Sequence, residues 1–235
     1  MSLLIIKNIS REGPGILQNI LEENNFPHDI IDLESTEDLP DPVGYDAVVV
    51  LGGPDSANDA SSKMRAELEM ARKAIDAGIP YLGICLGMQV LVKACGGSVH
   101  ASEIREIGLR SEDGNYYSID IEQDHVDDPL FADLESPLGI FHLHGETVEL
   151  TEKMMLIGTG KHCTHQIVKI GPNAYGIQGH FEITPEMLDL WLDNDPELLL
   201  MDREAIRKDF ELLSSEYSDN GRKLFNNFLG IARIT

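Results

Sequence analysis

Residues 80–89 read PYLGICLGMQ, a cysteine set between two glycines where an apolar strand pattern gives way to a helical one. A sharp strand-to-helix turn of this kind presents the residue at its apex, Cys85, at the carboxyl end of the strand. Gly83 and Gly87, two positions to either side, have no side chain to hold strand and helix apart. The free N–H groups and positive dipole end of the following helix then face the sulfur, favouring thiolate and any oxyanion formed beside it. A free cysteine is also a common small apolar core residue. The reading of Cys85 as a nucleophile therefore depends on a base elsewhere in the chain.

Upstream of this turn the chain alternates strands and helices. Residues 3–7 form a short apolar run, 13–24 are helix-like after a Gly-Pro-Gly turn, and 28–33 read as a second strand. Residues 46–51, DAVVVL, are apolar without alternation, as expected of a strand buried on both faces of a parallel sheet. Within residues 61–77, Met64, Leu68, Ala71 and Ile75 recur at spacings of three and four, which predicts an amphipathic helix capped by Gly78. A strand over 79–84 and, past the turn, a helix over 88–94 follow. Such β-α alternation predicts a mostly parallel sheet covered on both faces.

Downstream the texture changes. Residues 97–176 hold only short apolar or alternating pieces, at 116–121, 140–144, 155–159 and 166–170, which predict antiparallel strands inserted beside the parallel sheet. From Thr184 the chain is helical again, with Pro185 at a first helical position behind a Thr cap. Breaks at 194–196 and 218–221 divide this tail into about three helices by their turn chemistry. The expected class is α/β: a mostly parallel central sheet flanked by helices, with a small antiparallel β insertion. Residues 1–192 form the expected domain and 193–235 a helical C-terminal extension packed on it.

The 235 residues are 42% hydrophobic, enough for one substantial core. A net charge of −23, from 41 acidic against 18 basic side chains, argues against nucleic acid and anionic membrane surfaces as partners. Three cysteines without paired spacing and no apolar leader at the start predict a reducing, cytoplasmic setting. No apolar run reaches membrane-spanning length.

The base is found in residues 174–182, AYGIQGHFE, where an apolar strand ends just before His180. If that strand neighbours the one ending at Cys85, both side chains share one rim of the sheet. Glu182, two residues on, is placed to hold the imidazole in its working tautomer and to stabilise imidazolium. A third element is residues 51–56, LGGPDS: a buried strand ending in two glycines can bring backbone N–H groups to a reacting carbonyl. Gly53 and Leu86 are the expected oxyanion donors.

Together these segments resemble a class I, triad-type glutamine amidotransferase, nearest to stand-alone relatives of the GMP synthase amidotransferase domain. The resemblance spans about residues 3–192 and rests on LGGPDS at 51–56, GICLGMQ at 83–89, EIG at 106–108, FHLHGE at 141–146 and GIQGHFEITPEM at 176–187. It implies a flavodoxin-like sheet, Cys85 as nucleophile, His180 as base and Glu182 as third member, with Gly53 and Leu86 supplying the oxyanion hole. Gln89 and the backbone around Leu143 and His144 would hold the α-groups of L-glutamine, and Gly52 belongs to the same substrate-contact set. Two motifs depart from the family. Its usual His-Pro-Glu is His180-Phe181-Glu182 here, and the Ser-His-Gly-Asp of GMP synthases reads Leu143-His144-Gly145-Glu146. These changes leave the triad but set the chain apart from a GMP synthase subunit. No phosphate loop for nucleotide activation is present, so any ammonia acceptor is water or a separate synthase partner.

The implied activity is glutamine hydrolysis through a γ-glutamyl thioester, with no cofactor. Two other readings stay open: a γ-glutamyl peptide hydrolase using the same three residues, and a non-catalytic or redox-sensing module in which Cys85 is a DJ-1-like sensor. No metal site is expected. His142 with His144, and His162 with Cys163 and His165, lack a complete four-ligand set, and the acidic run 120–128 lacks the EF-hand pattern. Cys95 and Cys163 are expected to be unreactive, and the leucine-rich tail is free to pack on the core or to form a homo-oligomer face.

Overall fold

The strand residues Leu3–Ile6 and Ala47–Val50 are fully buried, and they alternate between two hydrophobic cores. Leu3, Ile5, Ala47 and Val49 join one, Leu4, Ile6, Val48 and Val50 the other. Both faces of the sheet are therefore covered, which is why these runs are apolar throughout rather than alternating. The computed structural model describes residues 2–36 and 38–234.

In chain order the elements are β1 (Leu3–Lys7), α1 (Ile16–Glu23), β2 (His28–Asp32), β3 (Ala47–Val50), α2 (Ser62–Asp76), β4 (Tyr81–Ile84), α3 (Leu86–Ala94), β5 (Ser98–Gly108) and β6 (Ser118–Ile121). There follow β7 (Leu138–Gly139), β8 (His142–Glu149), β9 (Met154–Gly160), β10 (Ile167–Ile170), β11 (Ala174–Ile177), α4 (Pro185–Asn194) and α5 (Arg203–Ile231). The sheet order is β2-β1-β3-β4-β11-β10-β9-β6-β7. The first five strands pair in parallel, and the pairings from β11 outward are antiparallel. Helices α2 and α3 cover one face; α1, α4 and α5 contribute to the core on the other.

The expected α/β class holds, and three details differ. Most of the inserted strands extend the main sheet itself, while β5 and β8 form a separate two-stranded ribbon. β5 has no counterpart among the short pieces expected at 97–176, because SVHASEIREIG is mostly polar and largely exposed on one side. The expected break at 218–221 does not occur, since α5 runs unbroken through it. Those residues serve packing instead: Asn220 is buried, and a side chain at Gly221 would meet the Phe181 carbonyl oxygen at 2.4 Å. The break at 194–196 is present, ending α4 before a short helical turn at Leu198–Leu200.

Helix ends follow their caps. Ser61 accepts from the Met64 amide at the start of α2, Thr184 from Met187 at α4 and Asp202 from Ala205 at α5, each satisfying a first-turn N–H. Among the described residues no helix is long and apolar enough to cross a membrane.

Candidate active site

The C-terminal ends of β1, β3, β4 and β11, four consecutive strands of the parallel part, converge on one rim. β4 and β11 pair with Ile84 opposite Ile177, and the Cys85 amide donates to the Ile177 carbonyl at 2.7 Å. The neighbour relation needed to bring Cys85 and His180 together is thus present.

Cys85 has φ 52° and ψ −108°, a backbone conformation that L-residues rarely adopt. It allows α3 to start at the very next residue, Leu86, two positions earlier than the helix pattern from Met88 predicts. The flanking glycines are required by contact. A Cβ on Gly87 would lie 2.1 Å from the Val50 carbonyl oxygen, and one on Gly83 2.3 Å from that of Gly87.

His180 is held from three sides. Its backbone N–H donates to the Phe141 carbonyl at 2.8 Å, and its carbonyl accepts from the Tyr217 hydroxyl of α5 at 2.8 Å. The ring packs edge-on against Trp191 of α4, with centroids 4.9 Å apart. Nδ1 meets Glu182 Oε1 at 2.6 Å, and the second carboxylate oxygen accepts from the Phe181 amide at 3.0 Å. With Nδ1 so engaged, Nε2 is left for the cleft that His180 and Cys85 both line. Burial acts to discharge this imidazole, but Glu182 and Cys85 outweigh it and raise its pKa well above the usual histidine value. Cys85 and His180 thus share one cleft, and Glu182 is bonded to the imidazole.

A cleft of about 470 Å³ opens over Cys85 and His180, with Glu182 buried behind the imidazole. Gly53 and Leu86 line the cleft, and among the described residues their backbone N–H groups find no acceptor. Gly52 lies behind the wall, where a Cβ would come within 2.5 Å of Glu12 Oε2, 3.0 Å of His180 Cε1 and 3.4 Å of Cys85 Cβ. Gln89, Leu143 and His144 lie on the cleft wall. Gln89 donates to the Glu146 carbonyl at 3.3 Å and to Gln178 Oε1 at 3.4 Å, while the Leu143 carbonyl lies 3.9 Å from Cys85 Sγ.

Several participants escape the sequence reading. Gln178 reaches Cys85 Sγ with its amide nitrogen at 3.8 Å. Glu106, on β5, meets His144 Nε2 at 3.0 Å and receives Gln166 Nε2 at 2.9 Å. Glu106, His142 and His144 each bring one ligand atom to within 4.8 Å of the other two. The His144 Nδ1 atom faces the Glu146 carbonyl at 3.1 Å, so both nitrogens of that ring are engaged within the protein. Burial, then the neighbouring His144 and His180, push the His142 pKa well below the usual value and keep that ring neutral.

Glu12, from the β1–α1 connection, is the least expected. It is buried yet lines the cleft, and burial raises its pKa to about 7 against the opposing influence of His180 and Arg11. The segment is clamped from the C-terminal side. Arg11 pairs with Asp195 at 2.9 Å, and Trp191 Nε1 donates to the Arg11 carbonyl at 3.1 Å. A second ion pair, Arg105–Glu197, ties the same post-α4 segment to β5 across the mouth. The residues after α4 therefore form part of the cleft wall.

The family described as glutamine amidotransferase class-I matches residues 15–192. A Salmonella typhimurium protein described as glutamine amidotransferase-like, YfeJ, is 30% identical over 188 residues, 77% of this chain and 76% of its own length. Gamma-glutamyl peptidase 3 of Arabidopsis thaliana is 30% identical over 79% of this chain and 74% of its own. The glutamine-hydrolysing GMP synthase of Pseudomonas syringae is 34% identical over 144 residues, 58% of this chain but only 25% of that enzyme. Among solved structures, a glutamine amidotransferase from Thermotoga maritima superposes with a TM-score of 0.86 at 25% identity, covering 97% of this chain and 98% of that one.

Proposed function

Because the chain belongs to the class I glutamine amidotransferase family, we propose that its cleft opens the side-chain amide of glutamine, with Cys85 as nucleophile. The observation that carries this reading is the imidazole of His180, bonded to Glu182 and sharing the cleft with Cys85 beside two N–H groups that find no acceptor among the described residues. Cys85 Sγ attacks the amide carbon, and the carbonyl oxygen, gaining charge, is received by the Gly53 and Leu86 amides. His180, held as imidazolium by Glu182, gives its Nε2 proton to the nitrogen as the C–N bond breaks. Ammonia leaves and a γ-glutamyl thioester remains. Water then attacks the thioester carbon while His180 takes up a proton, and the C–S bond breaks to release glutamate.

Substrate binding is assigned to the cleft wall beside the nucleophile. Gln89 and the backbone at Leu143 and His144 hold the α-amino and α-carboxylate groups, with Gly52 supporting the turn beneath. Glu182 stands in for the aspartate or glutamate that orients such a histidine in other acyl enzymes. The reaction needs no cofactor.

A second reading uses the same chemistry on a larger leaving group. The match to a γ-glutamyl peptidase over most of both chains favours γ-glutamyl peptides as substrates, whereas the GMP synthase match favours delivery of ammonia to a synthase partner. Glutamate release by the purified chain from glutamine and from a γ-glutamyl dipeptide separates them. Turnover of at least one substrate, abolished in Cys85→Ala, is expected. Absence of turnover on both, alone and with cell extract added, overturns the proposal.

A further inference from the structure

We propose that Glu12 forms the subsite for the leaving amine. Its carboxylate accepts an N–H from the ammonia or amine that departs, and it receives amines that return to the thioester. This rests on the reaction assigned above to Cys85. It adds a group that the three-residue chain and the oxyanion donors do not include.

The placement is geometric. Gly52 has its Cβ position within contact of Glu12 Oε2, His180 Cε1 and Cys85 Cβ at once, so the carboxyl group stands beside the imidazole that delivers the proton. The groups assigned to the α-end of the substrate, Gln89, Leu143 and His144, belong to α3 and β8, whereas Glu12 comes from the β1–α1 connection. A side chain on the imidazole side of the sulfur meets the nitrogen that leaves, not the α-groups. Among the described residues no protein donor is hydrogen-bonded to the Glu12 carboxyl group, although the residue is only 5% exposed. A carboxyl group that lines a cleft and has no protein hydrogen-bond partner is placed to receive a donor from a bound molecule.

Its charged surroundings fit a cation or an N–H donor. The groups acting on Glu12 are His180, Arg11, Glu182 and Asp195. Arg11 is itself paired with Asp195, which leaves Glu12 free to answer to the site. As the C–N bond breaks, nitrogen keeps the bonding pair and takes the His180 Nε2 proton, while Glu12 accepts one of its hydrogens without transfer. In the reverse sense an amine attacks the thioester carbon, the C–S pair returns to sulfur, and the amine's proton passes to His180.

The test is how the thioester partitions between water and an added amine, with γ-glutamyl hydroxamate from hydroxylamine measured against glutamate. This ratio is independent of the fraction of active enzyme and of the rate of acylation. In Glu12→Gln the transfer-to-hydrolysis ratio should fall by about tenfold, the scale of one lost charge-assisted hydrogen bond, with Glu12→Asp retaining part of it. In the unaltered chain, transfer per free-base amine should rise with pH through about 7, as Glu12 ionises. An unchanged ratio in Glu12→Gln overturns the subsite, and so does a flat profile in the unaltered chain should that variant fail to fold. In both cases Cys85 keeps its assigned role. Absence of any turnover by the unaltered chain overturns the subsite and the reaction together.

Discussion

In the proposed mechanism Glu182 acts on Cys85 through the imidazole that it holds, so its influence on the sulfur is one of orientation and charge. Replacing it by glutamine keeps the shape but offers the ring an amide that can stabilise the wrong tautomer. We expect Glu182→Gln to lower kcat by about 10³- to 10⁴-fold with little change in KM or thermal midpoint, measured by steady-state glutamate release. At this scale the site was largely legible. The elbow, the histidine at a strand end and the carboxylate two residues on are local spacings; the structure joins the last two through the Nδ1–Oε1 contact of 2.6 Å and places the elbow cysteine and the histidine on one cleft. Glu12 and Gln178 were not legible, because their nearness to Cys85 comes from which strands are neighbours: β1 beside β3, β3 beside β4 and β4 beside β11. No local pattern marks a lone glutamate ahead of a Gly-Pro-Gly turn.

At the scale of elements, α5 shows how turn residues can mislead. Ser218-Asp-Asn-Gly221 has loop composition, yet these residues sit in the interior of a 29-residue helix. Gly221 is there because α5 passes over the Phe181 carbonyl, and Tyr217, one turn earlier, donates to His180. Helix propensity and contact make opposite predictions for Gly221→Ala. Propensity alone gives a gain of about 1 kcal/mol, whereas a methyl group 2.4 Å from a backbone oxygen forces a shift costing about 1–3 kcal/mol. Contact should win, so urea denaturation is expected to show net destabilisation, with reduced turnover because the displaced segment carries His180. The ribbon strand β5 went unread for a related reason. Its polar residues include Glu106, which meets His144 directly across the β5–β8 ribbon, and period-two hydrophobic patterning does not register such polar cross-strand contacts.

At the scale of the whole molecule, the C-terminal residues complete both the core and the cleft. Phe210, Tyr217, Leu224, Phe225 and Phe228 join the same hydrophobic cluster as Leu3, Ile5 and Trp191, while Asp195 and Glu197 reach arginines on two other cleft walls. The Thermotoga maritima structure superposes over 97% of this chain, so the likeness of fold extends past residue 192, where the family match ends. The sequence correctly announced helices there, but not that they would brace His180, since that depends on packing between distant segments. The net charge of −23 bears on solubility and leaves the mechanism to the buried groups of the site. Among these, Cys85 is the group proposed to carry the γ-glutamyl group. The most direct test of that role is mass spectrometry of the intact chain, acid-quenched during turnover of glutamine or a γ-glutamyl dipeptide, followed by peptide mapping. A γ-glutamyl adduct on the peptide containing Cys85, absent from Cys85→Ala, is the predicted result; glutamate release without that adduct, or with the adduct on Cys95 or Cys163, would contradict it.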